Sequence, residues 1–74
     1  MLRINMIKTG DSIKNAISQA GKTVRDIQEA CGVSSTQAVY KWLRGDCLPT
    51  IENLATIADE CNVGMEDLLA LERV

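Results

Sequence analysis

The chain has 74 residues, and 46% of them are apolar, but only Tyr40 and Trp42 are aromatic. This length suits a single small domain with a core of aliphatic side chains. No apolar stretch is long enough to predict a signal peptide or a membrane span, and the chain has no histidine, nucleophile motif or phosphate-binding glycine loop. We therefore expect a cytoplasmic protein that is not an enzyme and has no small-molecule substrate.

The three cysteines, Cys31, Cys47 and Cys61, form no CxxC pair. Since the chain contains no histidine, they are typical of reduced thiols in an intracellular protein rather than of a zinc site or a disulfide framework. We therefore expect neither a metal nor a cofactor.

The charges are divided unevenly along the chain. Residues 1–45 contain seven Lys or Arg and three Asp or Glu, a balance of +4, whereas residues 46–74 contain one Arg and seven acids, a balance of −6. Although the net charge is −2, one part of the molecule can present a positive face to nucleic acid while the other repels it. This asymmetry permits DNA binding without proving it.

Residues 1–8 alternate apolar and polar side chains, which predicts a short extended strand or arm. The rest of the sequence has helical signals, so this strand would have no partner within the chain. We expect it to pair with the same strand of a second copy, forming a dimer, to lie as an arm over the helices, or to stay frayed.

The first two helices are predicted from the residues at their ends. Thr9 is the expected N-cap of the first helix, and Gly21 ends it. Thr23 caps the second helix, Asp26 can complete a capping box there, and Gly32 ends it. Because Gly32 lies so close to the start of the next helix, we expect the second and third helices to meet at a sharp angle.

The segment from Gly32 to Gly45 predicts a third helix with an unusual surface. Residues 34–37 fit the capping-box pattern S-x-x-Q, and Gly45 supplies a left-handed end. The outward-facing positions hold hydrogen-bonding and cationic side chains and no carboxylate, although the protein is acidic. These positions are Ser35, Thr36, Gln37, Tyr40, Lys41 and Arg44. Such a surface suits nucleic acid.

The fourth and fifth helices follow Pro49, which has no backbone N–H to donate. Thr50 caps the fourth helix, Asn62 ends it, and a short fifth helix follows Gly64. Helical periodicity assigns Trp42 to the core rather than to base stacking. The other expected core positions of the four longer helices are Ile13, Ala16, Ile17, Ala20, Val24, Ile27, Ala30, Cys31, Ala38, Val39, Leu43, Ile51, Leu54, Ala55, Ile57, Ala58 and Cys61.

An ordered set of residues from the first helix to the fifth carries a family resemblance. The set comprises Ile13, Ile27, Gly32-Val33-Ser34, Val39, Trp42, Arg44-Gly45, Pro49, Asn53-Leu54, Ile57-Ala58, Val63 and Leu68-Leu69. It resembles the phage-repressor/Cro type of helix-turn-helix, the XRE family of bacterial and phage regulators. The similarity covers about residues 9–70, and its most specific parts are YKWLRG and LPTIENL. It is closest in pattern to a branch whose recognition helix reads QAxYKW.

The resemblance implies an all-α fold, a five-helix phage-repressor-like DNA-binding domain with a short N-terminal extended arm or strand. The single domain would span residues 1–74, with the arm at 1–8 and the helical bundle at 9–71. The implied function is sequence-specific regulation of transcription, for example as a repressor in the bacterial or phage cytoplasm, associated with the nucleoid. The implied partners are double-stranded DNA and a second copy of the chain, and no membrane.

In helix-turn-helix proteins the third helix of this domain, here about residues 35–44, points its N-terminal residues at base edges in the major groove. The resemblance therefore implies base contacts from Ser35, Thr36, Gln37 and Lys41. It implies phosphate contacts from Thr23, Tyr40, Arg44 and Gly45, with the loop after Gly45, Lys14 and Lys22 extending the track. The homodimer would bind a pseudo-palindromic operator, through the C-terminal leucines, the N-terminal strand or both.

Other interpretations of these residues remain open at this point. The Gln37 side chain is alternatively a partner in the capping box, Tyr40 alternatively packs on the second helix, and Lys41 is alternatively only solvated. Arg44 alternatively pairs with Asp46 or Glu52 and fastens the helix end. The same fold also serves as a protein-interaction adaptor or an antitoxin, in which case the acidic segment 46–74 would carry the function.

The sequence departs from the family pattern in three places. The stretch from Gly32 to Gly45 is one residue longer than the commonest form, and Gln28 stands where a small alanine usually allows the two helices to approach. We hypothesise that the larger side chain and the longer turn compensate for each other. In addition, Val24 replaces a polar residue that binds a DNA phosphate in many relatives.

Overall fold

The protein is described here by a computed structural model that covers all residues from Met1 to Val74 and contains five helices and two short strands. In chain order these are β1 (Leu2–Ile4), α1 (Met6–Gln19), α2 (Val24–Cys31), α3 (Thr36–Arg44), α4 (Ile51–Cys61), α5 (Met65–Leu68) and β2 (Leu71–Arg73). The predicted five-helix fold is confirmed. None of the helices combines the length and the apolar character that crossing a membrane requires.

The N-terminal strand pairs with the C-terminal end of the same chain. β1 and β2 form an antiparallel sheet in which Leu2 lies opposite Arg73 and Ile4 lies opposite Leu71. The expectation that this strand has no partner within the chain is therefore wrong. Because β2 has only three residues, its sequence carries too few alternations to distinguish it from a helix end.

Helix α1 begins at Met6, and its N-cap lies four residues before the predicted one. Asn5 is its N-cap, and the Asn5 side chain accepts a hydrogen bond of 2.9 Å from the backbone N–H of Lys8. Thr9 is not a cap but a fully buried residue inside the helix, where its hydroxyl accepts from the backbone N–H of Ala70 at 3.0 Å. The predicted boundary between an arm (1–8) and a bundle (9–71) is therefore wrong as well.

Two glycines allow the backbone of α1 to come into direct contact with the backbone at the end of α3. A Cβ atom on Gly10 would lie 2.5 Å from the carbonyl oxygen of Leu43 and 2.7 Å from that of Trp42. A Cβ atom on Gly45 would lie 2.9 Å from the Cα of Ile7, and Gly45 also has the left-handed φ of 80° that ends α3. The position of α3 against α1 therefore depends on the absence of side chains at both residues.

The core lies between α1, α2, α3, α4 and α5. Its ten buried residues are Ile13, Ile17, Ile27, Val39, Trp42, Leu54, Ile57, Ala58, Cys61 and Leu68. Three of the predicted core residues, Ala30, Ile51 and Ala55, are exposed instead. Ile51 is 79% exposed because it is the first residue of α4 and Ala55 follows it one turn later on the same outward stripe.

The predicted ends of α2 and α4 are confirmed. Gly32 and Asn62 have left-handed φ values of 68° and 58° at the C-terminal ends of these helices. The hydroxyl of Thr50 accepts from the backbone N–H of Asn53 at 3.1 Å. At the end of α4, the N–H of Val63 reaches back to the carbonyl of Ala58, as in a Schellman motif.

The substitution Gly10→Ala tests the contact between α1 and α3. In an ordinary helix interior this change stabilises a protein by about 0.5–1 kcal/mol. Here we expect a loss of about 1–3 kcal/mol, since the new methyl group overlaps the carbonyl oxygens of Trp42 and Leu43. Urea unfolding measures the change, with Asn15→Ala on the exposed side of the same helix as the control. A Gly10→Ala variant more stable than the wild type would contradict the close approach.

Candidate nucleic-acid interface

The turn between α2 and α3 comprises residues 32–35, and it sets where α3 begins. Ser35 is the N-cap of α3, but its side chain makes no capping hydrogen bond. The predicted capping box from Ser34 to Gln37 is therefore wrong. Because the helix begins one residue later than that pattern requires, Gln37 is the second helical residue rather than the third, and its side chain is not used to close the helix end.

The N-terminal part of α3 presents polar side chains to solvent. Ser35, Gln37 and Lys41 are exposed and Thr36 is half-buried, and none of these four side chains takes part in an intramolecular hydrogen bond or ion pair. Gln37 and Lys41 lie one helical turn apart on the same stripe. Residues 35–44 contain no carboxylate. This tip therefore offers donors and acceptors that are free to bind a ligand, next to an unpaired positive charge.

The opposite side of α3 fastens the helix to the domain. Val39 is fully buried and Trp42 is 6% exposed, both within the hydrophobic core. The assignment of Trp42 to the core rather than to base stacking is therefore confirmed.

At the start of α2, Thr23 and Asp26 form the predicted capping box. The Thr23 hydroxyl accepts from the Asp26 N–H at 3.1 Å, and the Asp26 carboxylate accepts from the Thr23 N–H at 2.9 Å. The hydrogen bond that the Asp26 carboxylate accepts from the Thr23 backbone N–H is the main reason why the pKa of Asp26 lies below its ordinary value. The Thr23 backbone N–H is thus already used, whereas its hydroxyl hydrogen remains available for an anion.

At the other end of α3, Arg44 is ion-paired with Asp46. The Arg44 Nε and Nη2 atoms each lie 3.0 Å from the Asp46 Oδ2 atom, and both side chains are more than half exposed. The Gly45 N–H donates to the carbonyl of Trp42 at 3.1 Å. This donor closes the helix end, so the predicted phosphate contact of Gly45 would have to share an amide that is already hydrogen-bonded. In the following loop, the N–H of Cys47 makes no hydrogen bond within the chain.

A shallow recess lies between α1, the start of α2 and α3. Its lining includes Lys14, Ser18, Lys22 and Tyr40. The Lys22 Nζ atom lies 3.5 Å from a carboxylate oxygen of Glu60, whereas Lys14 makes no ion pair. The recess thus combines two cations with two hydroxyl groups. Ser18, which lies one turn after Lys14 on α1, was not among the site residues predicted from the sequence.

The Gln28 side chain closes the turn between α2 and α3. Its Nε2 atom donates to the carbonyl oxygen of Val33 at 3.0 Å, and the Val33 N–H donates back to the Gln28 carbonyl at 3.3 Å. Gln28 is half-buried, and its side chain binds the turn itself. The second of these hydrogen bonds is the backbone closure also found at the end of α4, so only the side-chain hydrogen bond is specific to Gln28, and it agrees with the hypothesis that Gln28 and the longer turn compensate for each other.

The arrangement of α2, the turn and α3 is matched by a known family. The model described as helix-turn-helix covers residues 13–68, more than half of the chain. The chain belongs to this helix-turn-helix family. The XRE-type resemblance predicted from the sequence is confirmed, and this helix-turn-helix protein is a DNA-binding transcription regulator. The family match also points away from an enzyme.

A solved structure has the same fold as this helix-turn-helix domain. It is the crystal structure of the restriction-modification controller protein C.AhdI from Aeromonas hydrophila, which matches with a TM-score of 0.75 and 16% sequence identity. The similarity covers 85% of this chain and 94% of that chain. At this level of identity the likeness establishes the fold alone. None of the curated proteins matches the chain.

The substitution Gln28→Met tests the hydrogen bonds of the turn. Methionine keeps the length of the side chain but cannot donate to the Val33 carbonyl, so we expect the free energy of unfolding to fall by about 0.5–1.5 kcal/mol. Gln19→Met is the matched control, because Gln19 is exposed and makes no side-chain hydrogen bond. Equal stability of the two variants in urea unfolding would show that the Gln28 amide does not hold the turn.

The capping box predicts a specific loss of stability in acid. Because the folded-state pKa of Asp26 lies below its ordinary value of 3.8, the carboxylate stabilises the fold above that pH, and this contribution is lost as the pH falls through the lowered pKa. Asp26→Asn should therefore flatten the decline of unfolding free energy below about pH 4. Thermal unfolding between pH 7 and pH 2, with Asp11→Asn as the control, measures the difference. A variant with the full wild-type decline would contradict this role of Asp26.

Proposed function

We propose that this regulator recognises a specific DNA sequence by placing α3 in the major groove, and that it does so as a homodimer. The observation that carries the proposal is the free polar tip of α3. Four side chains there, those of Ser35, Thr36, Gln37 and Lys41, have no partner within the domain and no carboxylate beside them. B-DNA's major groove admits one α-helix and displays a distinct pattern of donors and acceptors for each base pair.

The four side chains would have different tasks in the groove. Gln37 can bind an adenine with both its amide oxygen and its amide nitrogen. Thr36 can offer its hydroxyl to a base or its methyl group to a thymine, and Lys41, one turn further on, reaches a guanine or a phosphate. Ser35 lies at the helix start, where its hydroxyl is not used for capping.

The phosphates on either side of the groove would be bound by groups at the two edges of the reading surface. On one edge, Tyr40 and Lys14 line the recess beside the start of α2, where the hydroxyl of Thr23 adds a donor. On the other edge, Arg44 has five N–H donors and uses only those on Nε and Nη2 for Asp46, so the Nη1 hydrogens remain for a phosphate. The free N–H of Cys47 lies in the loop just beyond.

The small number of free cations favours a homodimer. Lys22 and Arg44 are already paired with acids, and affinity for DNA depends largely on how many phosphates are neutralised. Two copies on one operator double the number of these contacts. Half-sites related by a two-fold axis would then lie about one helical turn, roughly 34 Å, apart.

Selecting bound sequences from a random DNA pool, followed by fluorescence anisotropy on the selected site, tests the proposal. We expect Gln37→Ala to weaken binding by about 1–3 kcal/mol, which is about 5- to 150-fold, and to relax the preference at one base pair of each half-site. Lys14→Ala should weaken binding to all sequences about equally and reduce its salt dependence.

The matched control is Gln19→Ala, which removes an exposed glutamine of α1 that makes no side-chain hydrogen bond. The outcome that would overturn the proposal is an absence of DNA binding at low salt, with Gln37→Ala and Lys41→Ala behaving as the wild type does. That result would favour a protein-interaction adaptor or an antitoxin built on the same fold.

A further inference from the structure

An ion pair lies directly beside the proposed reading surface, at the C-terminal end of α3. The Arg44 Nε atom donates to the Asp46 Oδ2 atom at 3.0 Å, and the Arg44 Nη2 atom lies 3.0 Å from the same oxygen. Residues 35–44 contain no carboxylate, so Asp46 is the first acid that follows α3 in the chain. The charges of this pair therefore act on any nucleic acid that α3 approaches.

The fold gains little stability from this pair. Both side chains are more than half exposed, and exposed ion pairs are screened by water and salt. The end of α3 is already closed by backbone hydrogen bonds, one of which runs from the Asp46 N–H to the Lys41 carbonyl at 3.0 Å. A carboxylate just beyond the C-terminal end of a helix is also on the unfavourable side of the helix dipole. Stability therefore does not account for the Asp46 carboxylate.

The backbone holds Asp46 at a defined place relative to α3. Gly45 turns the chain between the two charged residues with its left-handed φ of 80°. A Cβ atom at Gly45 would lie 2.9 Å from the Cα of Ile7, so α1 packs against this turn. The Asp46 carboxylate therefore reaches Arg44 from a short segment of chain that is fixed by its own hydrogen bonds and by α1.

The shape of the guanidinium determines what remains for a ligand. The group is planar and its N–H donors have fixed directions, so holding one edge orients the whole group. Asp46 occupies the edge formed by the Nε and Nη2 atoms of Arg44. The Nη1 atom makes no hydrogen bond within the chain, and it lies on the side of the guanidinium away from Asp46.

We propose that Asp46 is a positioning residue for DNA recognition, which orients the Arg44 guanidinium toward one phosphate in register with the bases that α3 reads. The inference rests on the proposed function, because a phosphate in fixed register matters only if α3 reads a particular site. An arginine that is already oriented loses less side-chain entropy on binding than a free one does. The operator complex gains from this orientation.

Asp46 also weakens the attraction of this part of the protein for DNA of any sequence. Its carboxylate cancels the guanidinium charge for phosphates that are not in direct contact with Arg44. Binding to arbitrary DNA depends almost entirely on cations that face phosphates, whereas operator binding also uses base contacts. Orientation helps one phosphate of the operator, and charge cancellation lowers binding everywhere. Both effects favour the operator over other sequences.

The ion pair at the other edge of the reading surface provides a comparison. The Lys22 Nζ atom lies 3.5 Å from a single carboxylate oxygen of Glu60. An ammonium group is a compact charge on a flexible stem, so this contact does not aim Lys22 in the way that Asp46 aims Arg44. Removing the Glu60 charge should therefore strengthen binding to all sequences equally, whereas removing the Asp46 charge should not.

Fluorescence anisotropy with the selected operator and with a random duplex of the same length tests the inference. We expect Asp46→Asn to bind the random duplex about three- to tenfold more tightly at low salt. The operator should gain nothing, because the loss of orientation offsets the gain in charge, so the ratio of the two affinities falls by the same factor. Glu60→Gln should strengthen both and leave the ratio unchanged.

Two controls accompany these variants. Asp59→Asn removes the charge of an exposed acid of α4 that forms no ion pair, so it reports the effect of net charge alone and should leave the ratio unchanged. Thermal unfolding of Asp46→Asn should match that of the wild type, because the pair is exposed.

A double-mutant cycle shows whether Asp46 acts through Arg44. In the Arg44→Gln background, Asp46→Asn should change both affinities by the same factor, because no guanidinium remains to be oriented. Three results would overturn the inference: equal gains for both duplexes with Arg44 present, no change in either affinity, or a ratio that still falls in the Arg44→Gln background.

Failure of the proposed function would give a different result. The wild type would then show no preferred site, and Gln37→Ala would bind every duplex as the wild type does, which would overturn both proposals. A preferred site that depends on Gln37 supports base reading whatever Asp46→Asn does.

Discussion

The contact between two backbones, where α1 crosses the end of α3, is the constraint on which the rest of the domain depends. There is no room for a Cβ atom at Gly10 or Gly45, because the backbones of α1 and of the end of α3 are in direct contact there. Burial of Val39 and Trp42 fixes the rotation of α3 about its axis. The contact at the two glycines fixes how closely α3 approaches α1. Since its inner side supplies the stability, the outer side of α3 can carry polar groups that need no partner within the fold.

Most of the helix ends could be predicted from the sequence, because capping residues act on backbone groups only a few positions away. The Thr23–Asp26 box and the left-handed glycine at Gly45 involve residues only a few positions apart, and both were predicted correctly. The sheet was not predictable, because β1 and β2 are three residues each and lie at opposite ends of the chain. The exposure of Ile51 was not predicted, because helical periodicity does not show whether another element packs against the first residue of a helix.

The sequence predicted which residue types lie at the candidate site. It did not predict which of their hydrogen-bond donors are already used within the chain. Helical spacing correctly assigned Gln37 and Lys41 to the outward side of α3. Whether a donor is free depends on three-dimensional detail, as the Gly45 amide and the Arg44–Asp46 pair show. The start of α2 illustrates a compromise: the carboxylate that stabilises the helix end also occupies a backbone donor that an anion would otherwise bind.

The pairing of the two chain ends has a consequence for the order of folding. The backbone N–H of Val74 donates to the carbonyl of Met1 at 2.8 Å. This hydrogen bond joins residues that are 73 positions apart in the sequence. Contacts of this kind form late, because the loop between them must first be closed. During synthesis on the ribosome, β1 emerges first and has to wait for β2. The sheet, and the anchoring of Thr9 by Ala70, are therefore completed only after all five helices have been made.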